Sequence, residues 1–98
     1  MAFIQLIEFS TSQPGEVQRL GEQWRADTEG ARTVRRTFTC LDREQPNRFI
    51  VVAVFDSYES AMENSNLEET EDLAEELAKL ADGPPVFRNL DVMMEYLD

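Results

Sequence analysis

Histidine is absent from this 98-residue sequence, and cysteine occurs once, at Cys40. Standard zinc and haem sites depend on imidazole or on sets of thiolate ligands, so neither kind of site can be assembled here. A single cysteine cannot form an internal disulfide, and this usage fits a reducing compartment. We therefore predict a cytoplasmic protein with no metal site of these kinds.

Basic charge and long apolar runs are also scarce. Nine Lys and Arg residues face 20 Asp and Glu residues, which gives a formal net charge of −11. Nucleic acids and anionic membrane surfaces select for basic proteins, so neither is expected as a partner. No apolar run approaches the roughly 20 residues that cross a bilayer, and the N-terminus lacks the pattern of a signal peptide.

The apolar content is nevertheless sufficient for a folded core. Hydrophobic residues make up 42% of the chain and include six Phe, two Tyr and one Trp. Because chains usually divide into domains only beyond roughly 250 residues, a single domain over residues 1–98 is predicted. A chain this short buries only about 60–65% of its unfolded surface, so its stability alone should be modest without a partner.

Four segments have the composition of β-strands. Residues 2–9 and 48–55 are almost continuously apolar, which predicts strands that are covered on both faces. Residues 32–41 and 86–97 alternate between apolar and polar side chains, which predicts half-exposed strands. In residues 32–41 the alternation places four side chains on one face, namely Val34, Arg36, Phe38 and Cys40.

A first helix is predicted between the first two strands. Residues 14–28 carry apolar side chains three and four positions apart, and Gly30 follows at the position where helices commonly end. Ser12 or Gln13 is predicted as the N-cap, and Pro14 suits the first turn.

The segment after the third strand predicts a broken helix. Asp56 and Glu59 are spaced as a capping box that opens a short helix. Asn66 with Glu69 is predicted to open a longer one, which ends at residues 83–85 (GPP). The acidic residues of this longer helix are expected on its solvated outer face, opposite a stripe of leucines.

The predicted element order is β-α-β-β-α-β, that of an α+β ferredoxin-like fold. Right-handed crossovers put the first and third strands in the centre of an antiparallel sheet, with both helices on one face. The other face would then expose either the set Phe3/Ile7/Phe9 or the pair Ile4/Leu6. A second copy of the chain is the simplest cover, so a sheet-to-sheet homodimer is predicted.

Two sequence stretches resemble a known family. FDSYESA follows the third strand and contains Ser57-x-Glu59-x-Ala61, and a broken helix follows at Asn64-Ser65-Asn66. NLDV forms the final strand after GPP. Together with the element order, these stretches are similar to the antibiotic-biosynthesis-monooxygenase-like family of dimeric α/β-barrel proteins, including its uncharacterised bacterial members. The resemblance covers nearly the whole chain and implies a barrel between two subunits, with a small-molecule pocket between each sheet and its helices.

The resemblance also implies possible chemistry. Better understood members oxidise aromatic polyketides or quinones without metal or flavin, or degrade haem. Haem-degrading members resemble one another in an Asn on the first strand, a Trp after the third strand and a His iron ligand. This sequence has Gln5, Tyr58 and Asn64 at or near those places. Without histidine, haem ligation of that type is excluded, and cofactor-independent oxygenation of an aromatic or quinol compound is the leading hypothesis.

Four side chains are the leading site candidates under this hypothesis. Trp24 would form an aromatic wall, and Arg36 would clamp developing negative charge on an oxygen. Tyr58 would donate a hydrogen bond to a substrate carbonyl, and Asn64 would position substrate or O₂. Three further residues are predicted to contact substrate, namely Gln5, Phe38 and Asn89.

Most candidates also have a purely structural interpretation. Trp24 would then be core with one hydrogen bond for its indole, and Asn64 would cap or break a helix. Arg35 or Arg36 would form a salt bridge to the acidic second half of the chain. Cys40 would be a small buried apolar side chain. Two functions therefore remain open, a cofactor-independent monooxygenase and a non-catalytic dimeric module that binds a ligand or a partner.

Overall fold

The computed structural model describes residues 2–98. Over this range the chain forms four strands and three helices, in the order β1 (Phe3–Ser10), α1 (Pro14–Asp27), β2 (Arg36–Leu41), β3 (Arg48–Phe55), α2 (Tyr58–Ser65), α3 (Glu68–Leu80) and β4 (Val86–Asp91).

The four strands form one antiparallel sheet in the order β2-β3-β1-β4. The two strands that are apolar on both faces, β1 and β3, are therefore central, as their composition predicted. The register pairs Phe3 with Phe55 on one side and with Asp91 on the other. With its helices, the sheet gives the predicted α+β ferredoxin-like fold.

Helices cover one face of this sheet, and the core lies in two clusters beneath them. Phe3 and Phe55 pack with Ala61 of α2 at one end of the sheet. Phe9 and Phe49 pack with Val17 of α1 at the other end. The set Phe3/Ile7/Phe9 is thus the one that faces the helices.

The opposite face carries no helix in the part of the chain that the structure describes, and we call it the open face. Strand alternation and register give it an apolar centre in which Ile4 and Leu6 lie beside Val52 and Val54. These four side chains are only half-buried although their strands are central. The rest of the open face comprises Glu8, Ser10, Arg36, Phe38, Cys40, Arg48, Ile50, Val86, Arg88 and Leu90.

The predicted cap positions are confirmed for α1, where Gln13 is the N-cap and Pro14 lies in the first turn, but they are wrong for α2 and α3. In α2 the N-cap is Ser57, whose hydroxyl accepts from the Ser60 N–H while the Ser60 hydroxyl accepts from the Ser57 N–H, both at 3.1 Å. The capping box is therefore a serine pair rather than Asp56 and Glu59. The N-cap of α3 is Leu67 rather than Asn66, and its side chain makes no capping hydrogen bond.

Two predicted strands are shorter than their alternating patterns. β2 begins at Arg36, and Val34 packs beside Phe3 on the helix-covered side instead of sharing the face of Arg36. β4 ends at Asp91, and residues 92–98 continue without regular structure. We call residues 92–98 the arm. None of the helices within residues 2–98 has the length and apolar character needed to cross a bilayer.

Candidate functional site

The seven predicted site residues do not lie in one pocket. Arg36 and Phe38 belong to the open face, whereas the sheet residues Gln5 and Asn89 point to the helix-covered side. The strands thus separate the predicted anion clamp from the predicted hydrogen-bond donor, Tyr58, whose ring packs on the helix-covered side.

Gln5 and Asn89 form a polar pair on the helix-covered side of the sheet. They are cross-strand partners on β1 and β4, and the Gln5 Nε2 donates to the Asn89 Oδ1 at 3.3 Å. Gln5 is half-buried between Phe3 and Ile7, which share its face, while Asn89 at the sheet edge is exposed. The pair therefore presents amide groups next to the apolar side chains of Phe3, Ile7 and Phe87.

Tyr58 extends this polar surface at the start of α2. Its ring meets Phe3 edge to face, with ring centroids 5.5 Å apart. Phe3 is two residues from Gln5 on the same face of β1, so Tyr58 and the Gln5–Asn89 pair lie on the same side of the sheet, with the buried Phe3 ring next in line along β1. The Tyr58 side chain is 52% exposed, which leaves it accessible to a ligand.

Phe87 completes this surface, and the sequence interpretation did not single it out. It is the β4 partner of Ile7 on the helix-covered side and is 54% exposed. The sequence indicates a role for Phe87 only through its position two residues before Asn89, in a strand whose side chains alternate between the two faces. We call the surface formed by Phe3, Gln5, Tyr58, Phe87 and Asn89 the amide–aromatic shelf.

Trp24 lies at the contact between α1 and α3, apart from the shelf residues. Its indole Nε1 donates to the Thr70 hydroxyl at 2.9 Å, so the expected single hydrogen bond is present. The indole also lines an open groove of about 190 Å³ between Leu20 and Leu73, with carboxylates at its rim. Trp24 is therefore part of the helix–helix packing.

Asn64 is buried, with 7% of its surface exposed. Its side-chain Oδ1 accepts a hydrogen bond from the Thr33 backbone N–H at 3.2 Å. This bond holds the segment before β2 against α2, so the carbonyl of Asn64 has a structural partner already.

The two adjacent arginines have different partners. Arg35 forms an ion pair with Asp56, with 2.8 Å between Nε and Oδ2, and this hydrogen bond lowers the pKa of Asp56. The predicted salt bridge to the second half of the chain is thus made by Arg35 within one subunit. The Arg36 guanidinium lies 4.8 Å from the ring centroid of Phe38, a cation–π contact on the open face.

An ion cluster on the open face was not predicted. Glu8 accepts from Arg48 at 2.8 Å and from Arg88 at 2.6 Å, and its side chain is only 14% exposed. The hydrogen bond from Arg88 is the main cause that lowers the pKa of Glu8. No local sequence motif predicts this cluster, because its three members lie on three different strands.

The remaining candidates for a site are a second groove, clusters of metal-binding side chains and Cys40. A second groove, of about 250 Å³, lies between Ala2 and the arm, and neither groove includes a residue of the shelf. Within residues 2–98 no group of three or more His, Cys, Asp or Glu side chains converges as a metal site would require. Cys40 is exposed on the open face, so its predicted burial is wrong for the single subunit.

Comparison with known proteins gives structural matches only. The sequence matches no protein-family model and no curated protein. SnoaB, a cofactor-independent oxygenase from Streptomyces nogalater, matches with a TM-score of 0.81 and 12% identity over 99% of this chain and 98% of that one. A conserved protein from Methanosarcina mazei Go1 matches with a TM-score of 0.81 and 10% identity, over 92% and 91% of the two chains.

A crystal structure of an antibiotic biosynthesis monooxygenase also matches, with a TM-score of 0.76 and 12% identity over 96% of this chain and all of that one. Identities near this level establish a shared fold and nothing finer. The chain thus has, over nearly its whole length, the α+β fold of the antibiotic biosynthesis monooxygenases that its sequence resembles.

Proposed function

We propose that the chain is a homodimeric enzyme that oxygenates an aromatic or quinol compound without a cofactor, and that the substrate binds at the amide–aromatic shelf. The observation that carries this proposal is the hydrogen-bonded Gln5–Asn89 pair on the same side of the sheet as the exposed rings of Tyr58 and Phe87. Amides and a phenol can bind the carbonyl and hydroxyl groups of a planar substrate while a ring packs on its face. The fold shared with a cofactor-independent oxygenase adds support.

The shelf, together with Asp91 of β4, supplies the few groups that such a reaction needs. A ring methylene loses a proton, the carbanion reduces O₂, one oxygen atom becomes the new carbonyl and the other leaves as water. The substrate provides all the electrons, so no separate reductant is consumed. Asp91 pairs with Phe3 on the helix-covered side and is the candidate base. The Tyr58 hydroxyl is the candidate donor to the developing oxyanion.

The open face supports the homodimer in this proposal. Its central side chains are half-buried in one subunit, and β-sheets with one apolar face normally pack against a second layer. A second copy stacked sheet to sheet would cover Ile4, Leu6 and their neighbours by an isologous contact. In this arrangement Arg36 and Phe38 belong to the interface.

Oxygen consumption with a panel of quinols and hydroxylated anthrones tests the enzyme. We expect one O₂ consumed per anthrone converted to its anthraquinone, or per quinol converted to a hydroxyquinone, with water as the other product. A quinol that is only oxidised to its quinone would instead release hydrogen peroxide. The Tyr58→Phe variant should lower kcat/KM about tenfold or more, because it removes one oxyanion donor. The matched control is Tyr96→Phe, which removes the hydroxyl of the other tyrosine and should leave turnover unchanged. If the Arg36→Gln variant lost turnover while the Tyr58→Phe variant retained it, the site would lie on the open face and this proposal would be refuted.

A non-catalytic dimeric module that binds a partner or a ligand is the second candidate, and the small volumes of the grooves favour its partner-binding form. The two grooves of about 190 and 250 Å³ are smaller than the roughly 300 Å³ or more of typical small-molecule pockets. A ligand from the same panel that raises Tm in the wild type, but less in Gln5→Leu, without any O₂ consumption would identify this function.

A further inference from the structure

We propose that the groove between α1 and α3 binds a basic amphipathic helix of a partner protein. We call this groove, in which Leu20, Trp24 and Leu73 lie between four carboxylates, the acidic groove. The inference goes beyond the proposed oxygenation and does not depend on it, because the acidic groove contains no residue of the shelf.

The floor of the acidic groove is apolar and fixed in position. Leu20, Trp24 and Leu73 are only half-buried in the subunit, so each keeps apolar surface that a partner can cover. The Trp24 Nε1 donates to the Thr70 hydroxyl at 2.9 Å, which holds the indole across the contact between α1 and α3. Tryptophans that are held in this way on an accessible apolar surface commonly anchor protein interfaces.

The shape of the acidic groove favours a helix as its occupant. Within residues 2–98 all of its lining residues belong to α1 or α3 and none to a strand, so the groove opens away from the sheet. Its volume of about 190 Å³ is small for a complete small-molecule ligand, but it suits an anchor side chain of a docked segment. A third helix can pack a ridge of side chains into the groove between two others.

The charge of the rim requires that this helix be basic. Four carboxylates line the acidic groove, those of Asp27, Glu69, Asp72 and Glu76, and no Lys or Arg of residues 2–98 does so. Glu76 pairs with Lys79 at 3.1 Å, whereas the other three form no ion pair within the described chain. Lys or Arg side chains beside the apolar face of a partner helix would supply the missing cations.

A second copy of this chain is a poor occupant of the acidic groove. Its α3 carries six carboxylates against one lysine, so packing α3 on the groove would place like charges together. Its basic surface is the open face, where Arg36, Arg48 and Arg88 lie with a single carboxylate, and the proposed homodimer already covers that face. A helix from a different protein is therefore the better fit.

The fluorescence of Trp24 tests the docking, because it is the only tryptophan of the chain. The probe is a synthetic peptide of about 15 residues built from Leu, Lys and Ala, with Leu three and four positions apart on one helical face. We expect it to shift the Trp24 emission to shorter wavelength, because docking excludes water from the indole. Versions with Ser for Leu or Glu for Lys should cause no shift. A shift with either version, or none with the probe, would refute the proposal.

Paired charge variants of the full-length chain separate the acidic groove from the general acidity of α3. Asp27→Asn/Asp72→Asn removes two rim carboxylates and should weaken binding of the peptide about fivefold. The matched control Glu71→Gln/Glu75→Gln removes the same charge from exposed positions outside the groove, and should change the affinity by less than about twofold. Equal weakening by the two pairs would show diffuse attraction to α3 and overturn docking at the groove.

Two measurements address other occupants of the acidic groove. If spermidine alone shifted the Trp24 emission as strongly as the peptide and competed with it, the groove would be a site for small cations and the proposal would be wrong. If Asp27→Asn/Asp72→Asn weakened self-association in sedimentation velocity, the groove would be a contact between copies, which also contradicts it. Since neither residue belongs to the shelf or the open face, O₂ consumption should be unchanged in this variant, and its loss would bear on the proposed function alone.

Discussion

At the scale of single residues, the helix-covered side is organised by buried polar side chains with defined partners. Asn64 is one of these, and its Oδ1 is the acceptor for the Thr33 N–H. Its replacement leaves a donor beneath α2 without a partner, so Asn64→Ala should lower the free energy of unfolding by about 2 kcal/mol. Urea denaturation measures this, with the exposed Asn66→Ala as the matched control, which should cost less than about 0.5 kcal/mol.

A second residue-scale prediction concerns acid stability. The pKa of Glu8 in the folded state lies below its ordinary value of 4.5, chiefly because Arg88 and Arg48 hydrogen-bond to the ionised carboxylate. A lowered folded-state pKa contributes stability that is complete above pH 4.5 and is lost as the pH falls through the folded-state value. The stability difference between the wild type and Glu8→Gln should therefore be largest near pH 6 and shrink below pH 4. A difference that stays constant over this range would show that the carboxylate titrates normally.

At the scale of secondary structure, one capping interaction fixes the start of α2 and with it the position of Tyr58. The Ser57 hydroxyl accepts from the Ser60 N–H, so Ser57→Ala should cost about 1 kcal/mol in unfolding free energy. Ser12→Ala near α1 is the matched control, because Gln13 is the N-cap there and Ser12 makes no capping bond. Chemical denaturation would contradict this account if both variants lost the same stability.

The same elements show which features were predictable from the sequence. Strand order followed from composition, because only β1 and β3 are apolar on both faces, and the shared fold followed from the motif around Ser57. The ends of the strands could not be predicted from the sequence. Alternation continues through the arm, but within residues 2–98 the pairing of β1 with β4 ends at Phe3 and Asp91, followed by one hydrogen bond from the Val92 N–H to the Ala2 carbonyl.

The site was predictable only in part, for a related reason. The register of β1 and β4 pairs Gln5 with Asn89. The two residues are 84 positions apart in the sequence, so no local sequence pattern could predict that they are partners. Arg36 was assigned to the pocket because a single sequence does not say which face of a half-exposed strand meets the helices. Only the packing of Phe3 and Phe9 under the helices decides that question.

At the scale of the whole molecule, charge and apolar surface are distributed unequally between the two layers. The helical layer carries most of the acidic excess, including the exposed acidic side of α3, while the open face is apolar and net basic. Within residues 2–98 only six hydrophobic residues are buried, with at most 8% of their surface exposed. A subunit with so small a core is expected to depend on burial of the open face for part of its stability.

This dependence predicts that thermal stability rises with protein concentration. For a dimer that unfolds to two chains, mass action stabilises the folded state as the protein concentration increases. We expect Tm to rise by about 5 °C when the protein concentration is raised roughly 50-fold. Differential scanning calorimetry measures the shift. Phe38→Asp on the open face should lower Tm and remove the concentration dependence, while Leu41→Ser on the other face of β2 should retain it. A wild-type Tm that does not change with concentration would mean that one subunit is stable with its open face in water.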